Sequence, residues 1–126
     1  MKNKLSAEWY KKAEEDFLAA KVLSRSRSLR LFNAVCFHSQ QAAEKYFKAY
    51  LSLQKTEFPK THDLILLKKF SVEKDPTFEF ITDLVIALNP YSVEFRYPGE
   101  QANAKDAKTA FKAIQEIRDF MSRKLR

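Results

Sequence analysis

Glycine is nearly absent. The 126-residue chain holds one, Gly99, where ordinary usage is about 7%. A P-loop or a Rossmann fingerprint needs several glycines, so both are excluded, and a turn-rich β fold is disfavoured. Cysteine is as scarce. Cys36 stands alone, so no intrachain disulfide forms, which fits a reducing cytosol. Histidine occurs twice, at His38 and His62. Cys36 and His38 lie two positions apart on a predicted helix, point roughly 200° apart and cannot share a metal ion. No metal site and no cofactor are expected within the chain. No G-x-S-x-G is present to frame a serine hydrolase. No apolar run reaches the ~18 residues of a membrane span, and MKNKLSAEWY does not read as a signal peptide. The expectation is a cytoplasmic protein with no membrane contact.

What is present is helix-forming. Apolar residues make up 45% and charged residues 31% of the chain, and the length suits one domain, residues 1–126, able to bury a real core. The stretch from Leu29 to Leu53 has neither Gly nor Pro. Phe32, Val35, Cys36, Ser39, Ala42, Ala43, Tyr46, Tyr50 and Leu53 recur at helical spacing and share one side. A helix from Leu29 to Gln54 would be ~39 Å long, against a radius of gyration near ~14 Å for a domain of this size. It therefore spans the body, and the other helices pack along it. Val35, Cys36, Ala42, Ala43 and Tyr46 are expected in the core, with His38 and Lys45 flanking it. Phe37 and Leu51 point off the main stripe, toward another helix or another subunit.

The remaining pattern predicts four more helices. Ser6 is placed to cap the first, whose stripe is Trp9, Ala13, Phe17, Ala20 and Leu23, ending near Ser24. Thr61 is placed to cap a short helix from His62 to Phe70, followed by an irregular SVEKD. Asp75-Pro76 reads as an N-cap and N1 pair for a helix carrying Phe78, Ile81, Leu84, Val85 and Leu88, stopped by Asn89-Pro90. A loop from Tyr91 to Ala102 follows. Asn103 with Asp106 opens the last helix, which carries Ala107, Ala110, Phe111, Ile114, Ile117, Met121 and Leu125. The fold class is all-α, an up-and-down antiparallel bundle of four long helices plus a short one. No repeat of solenoid type is present.

The net charge is +7. It suits nucleic acid, an anionic ligand or an acidic partner, and equally a lysine-rich solvated surface. The loop SRSRSLR places Arg25, Arg27 and Arg30 without an acid, either for phosphates or as a solvated turn. His38 reads as a partly buried histidine bonded to a neighbour, or as a base or anion contact. His62 beside Asp63 reads as part of a helix cap, or as a phosphate contact. Arg96, between Phe95 and Tyr97, is placed to hold a phosphate or stack on a base, or to tie its loop to Glu94 or Glu44.

Taken together, CFHSQQAAEK from Cys36 to Lys45, PKTHDL from Pro59 to Leu64, and FRYP from Phe95 to Pro98 resemble the HEPN domain family. Trp9-x3-Ala13-x2-Asp16 and the Ala-rich last helix fit as well. The resemblance covers nearly the whole chain. It implies a helical bundle that commonly forms homodimers and is often paired with a minimal nucleotidyltransferase as a toxin–antitoxin or nucleotide-transfer pair. It also implies nucleotide or RNA binding, with Arg96, Tyr97, His38, Lys45 and His62 as the site. Many members are metal-independent ribonucleases with an Arg, four to six residues, then a His. Here the positions after Arg96 hold Gln101, Ala102 and Asn103, and seven residues separate Arg30 from His38. The expectation is thus a binding module with no catalytic residues assigned. The alternative is a metal-independent endoribonuclease with a non-standard site.

Overall fold

The computed structural model describes residues 3–26, 30–92 and 99–126. Five α-helices carry the described chain, with no strand among the described residues: α1 (Lys4–Arg25), α2 (Phe32–Leu53), α3 (Leu64–Lys74), α4 (Thr82–Leu88) and α5 (Ala104–Lys124). The all-α bundle expected from the sequence is what forms. Three helices run 21 or 22 residues, and α3 and α4 are shorter, with 11 and 7.

The core is built on α2. Val35, Cys36, Ala42, Ala43, Tyr46, Phe47, Ala49 and Leu51 are almost wholly buried. Alanine at 42, 43 and 49 lets neighbouring backbones approach, while the aromatic rings fill the wider gaps. Leu51, off the main stripe, is part of the intramolecular core. α1 lies antiparallel on α2. The hydroxyl of Ser6 donates to Ala49 O at 2.7 Å, Tyr46 meets Glu14, and His38 meets Asp16. α5 runs back along α1, with Phe111 stacked on Phe17 at 5.8 Å and Arg118 bonded to Glu14.

Several helix ends differ from the sequence expectation, each because a side chain has other work. Asn3, not Ser6, caps α1 by accepting from Ser6 N, since the Ser6 hydroxyl is committed to α2. The helix runs on to Arg25. α2 begins at Phe32, with Leu31 at its N-cap and no side-chain cap bond. Asp63, not Thr61, caps α3, accepting from the backbone N–H groups of Ile65 and Leu66. Thr61 Oγ1 instead accepts from Asp63 N. SVEKD is mostly helical: α3 continues through Lys74, with Ser71 buried and its hydroxyl donating to Leu67 O, one turn back.

Asp75 does cap the next element, accepting from Thr77 N, but Pro76–Ile81 is a 3-10 helix that turns into α4 only at Thr82. Its anchor is Phe78. This ring is fully buried between Tyr50, Phe120 and Phe47, with centroids at 4.5, 5.0 and 5.9 Å. The capping box of Asn103 and Asp106 forms as expected.

Candidate functional site

The side chains that the sequence singles out on α2 lie along the flank of its apolar stripe. A carboxylate from α1 organises the first group. Asp16, one turn on from the buried Ala13, faces α2 and accepts from His38 Nδ1 at 2.8 Å with one oxygen and from Lys45 Nζ with the other. His38 and Lys45 stand seven positions apart, two helical turns, so both reach the same face. Their side chains are 30% and 23% exposed, against 13% for Asp16. The imidazole therefore stands at the edge of solvent with a partly buried carboxylate behind it.

A second carboxylate organises the second group. Glu44 is nearly wholly buried and accepts from His62 Nδ1 at 2.8 Å and from Lys48 Nζ at 3.0 Å. Lys48 also sits over the Trp9 ring, 5.2 Å from its centre. Gln40 Nε2 donates to the backbone carbonyl of His62 at 3.0 Å, and Gln41 Nε2 donates to Gln40 Oε1. His62 thus has its backbone and its ring both tied to α2, while its side chain remains two-thirds exposed. It takes no part in the helix cap, which belongs to Asp63.

His38, Gln40, Gln41, Glu44 and Lys45 are all engaged in this polar strip, and all fall within the CFHSQQAAEK segment. A carboxylate can only accept from Nδ1, so in both histidines Nδ1 carries the proton. Nε2 is left as the base when the ring is neutral, and as a second donor when it is protonated. Each lysine already has its own carboxylate.

The two carboxylates are the residues that sequence reasoning missed. Asp16 enters there only as the end of the Trp9-x3-Ala13-x2-Asp16 pattern, and Glu44 as a candidate partner for Arg96. The available signal was positional: an acid directly beside a core stripe, opposite a helix that carries His and Lys at matching height. Arg96 and Tyr97 lie outside the described residues, as does Arg27. Among the described residues no group of three or more His, Cys, Asp or Glu is arranged to hold a metal ion, and no described helix is long and apolar enough to cross a membrane.

A third carboxylate sits on the opposite flank of α1. Glu14 accepts from Arg118 Nε and Nη2, both at 2.8 Å, and from the buried Tyr46 hydroxyl. The guanidinium holds the Glu14 carboxyl below its ordinary range, working against the burial that would raise it. Burial, reinforced by Glu14, pushes the Tyr46 phenol well up. Arg118 also covers the face of Phe17 at 4.3 Å. Every group here is paired, which makes it a brace between α1, α2 and α5.

Comparison with known proteins agrees with this architecture. The HEPN domain family model matches residues 6–125. The crystal structure of an archaeal HEPN homologue superposes with a TM-score of 0.75 at 21% identity, covering 98% of this chain and 99% of that one. No curated protein sequence matches.

Proposed function

Since the chain belongs to the HEPN domain family, we propose that it is a nucleotide- or RNA-binding HEPN module. It would act as a homodimer or beside a minimal nucleotidyltransferase, and not as a ribonuclease of the Arg-x4-6-His kind. The family is associated with nucleotide and RNA binding and with ribonuclease toxins, and its domains commonly dimerise. The observation that carries the reading is the strip on α2. Two histidines are held through Nδ1 by acids, one buried and one partly buried, with Lys45 and Lys48 alongside, in a chain of net charge +7. The proposal has Nε2 of His38 and of His62 donate to the ligand's phosphate, a contact that needs the protonated ring. Arg96 and Tyr97 are proposed to complete the site on sequence grounds.

The test is binding of RNA and of mononucleotides to the purified protein in EDTA, with sedimentation to give the oligomeric state. Micromolar binding that weakens in His38→Ala and Arg96→Ala, with the RNA left intact, is the expected result. Absence of nucleotide binding, RNA binding and any complex with a co-expressed nucleotidyltransferase would sink the proposal.

A second reading rests on one feature of the same strip. His38 backed by Asp16 is the arrangement that fixes an imidazole as a general base. Such a base could take the proton from a 2′-hydroxyl in metal-free RNA cleavage. RNA cleaved in EDTA by the parent protein, but not by His38→Ala or Asp16→Asn, would replace the binding module with an endoribonuclease.

A further inference from the structure

At the end of the bundle where α1 finishes and α5 begins lies a half-enclosed groove of about 600 Å³. Its walls are apolar: Leu23 from α1, Phe32 and Val35 from α2, Phe111 from α5. Its charged lining residues are Lys108 and Lys112, exposed and one turn apart on α5. Neither makes an ion pair with a described residue.

The aromatic wall has a further property. Phe111 stacks on Phe17 with an interplanar angle of 27°, and Arg118 lies over Phe17 at 4.3 Å. The ring that lines the groove is therefore packed against a ring held by the brace. Volume, apolar walls and a few converging polar groups are the usual make-up of a small-molecule site.

We propose that this groove binds a small aromatic anion, a flat ring carrying a phosphate, sulfonate or carboxylate. The ring lies against Phe111 and Phe32, and the anion is held by Lys108 and Lys112. A flat body suits the stacked wall because offset ring packing adds to area burial. An anion matches the charge of the two ammonium groups that line the groove, each acting as a point charge on a flexible stem. This site is separate from the histidine strip on α2 and does not rest on it.

The probe is 8-anilinonaphthalene-1-sulfonate, with neutral N-phenyl-1-naphthylamine as its uncharged counterpart. The sulfonate is expected to bind the parent protein with a fluorescence increase and a dissociation constant in the micromolar range. The neutral dye should bind more weakly. Lys108→Glu/Lys112→Glu, both at exposed positions that leave the core intact, should weaken the sulfonate about tenfold or more while sparing the neutral dye. Competition then identifies the natural kind: displacement by AMP points to a nucleotide, and displacement by 2-naphthoate alone to an aromatic acid. Each of those results supports the site. Equal binding of both dyes, or sulfonate binding unchanged in the double variant, overturns it. So does a change in oligomeric state in the double variant without loss of dye, which would assign the groove to a contact between copies of this chain.

Discussion

Single side chains in this protein are decided by the company they keep. Ser39 falls on the apolar stripe of α2, is fully buried, and its hydroxyl has no hydrogen-bond partner among the described residues. An unmade buried hydrogen bond costs about 1–3 kcal/mol. Ser39→Ala should therefore hold or raise the midpoint of urea unfolding, whereas a fall would reveal a partner for the hydroxyl. Cys36 is the reverse case, a group whose burial is its purpose. Loss of solvent, helped by the charge of Asp106, pushes its thiol up to about 11. The thiolate is the reactive form, so iodoacetamide at neutral pH should leave the folded protein unmodified and label it once urea unfolds it. Rapid labelling of the native protein would contradict the packing around α2.

Asp75 is a residue whose charge matters. Its hydrogen bond from Lys124, followed by one from Thr77, lowers its carboxyl to about 2. A carboxyl lower in the folded than in the unfolded state stabilises fully above the ordinary aspartate range, and that stability is lost as pH falls toward about 2. Asp75→Asn keeps a side chain that caps well. It should cost most at pH 6, roughly half as much at pH 3 and little near pH 2, flattening the profile between them. An unchanged pH profile would mean that the contact with Lys124 contributes nothing.

Elements here are held by single anchors more than by intrinsic propensity. The segment from Pro76 to Leu88 starts as a 3-10 helix and contains an α-helix of only 7 residues, far below the length that is stable alone. It stays in place because Phe78 is enclosed by Tyr50, Phe120 and Phe47. Hydrogen bonds across to α3 assist, from Leu64 N to Asn89 Oδ1 and from Lys68 Nζ to Thr82 Oγ1. Phe78→Ala should cost about 3–5 kcal/mol, the usual range for emptying a buried aromatic site. It should also increase amide exchange in α3 and α4 before α1. Uniform loss of protection across all helices would instead show that the bundle has no separable part.

At the scale of the molecule, the outer helices depend on one brace. Glu14 and Arg118 join α1 to α5 through two parallel bonds at 2.8 Å, with Tyr46 of α2 completing the carboxylate's shell. Bidentate pairs of this kind are the stronger class of charged contact, though Arg118 is 39% exposed and solvent weakens the attraction. A double-mutant cycle with Glu14→Gln and Arg118→Met should give a coupling of about 1 kcal/mol, and a value near zero would reduce the brace to a surface contact. The two candidate sites are lined by different residues. The histidine strip is built on Asp16 and Glu44, and the groove lies at the end of α1, between Leu23, Phe32 and Phe111.

Much of this was legible in the chain itself. Helical periodicity places Val35, Cys36, Ala42, Ala43 and Tyr46 in the core, because a side chain's face on a helix depends only on local geometry. The capping box at Asn103 and Asp106 is equally local. His38 and Lys45 flank the core for the same reason. What the sequence could not supply was partnership between elements. Ser6 reads as a cap until Ala49 O claims its hydroxyl, His62 reads as part of a cap until Glu44 claims its ring, and Asp16 is only a position in a pattern until α2 is laid beside it. Those contacts span 18 to 43 positions. Only the packing of one helix on another decides them, because no local rule states which acid will stand opposite which base.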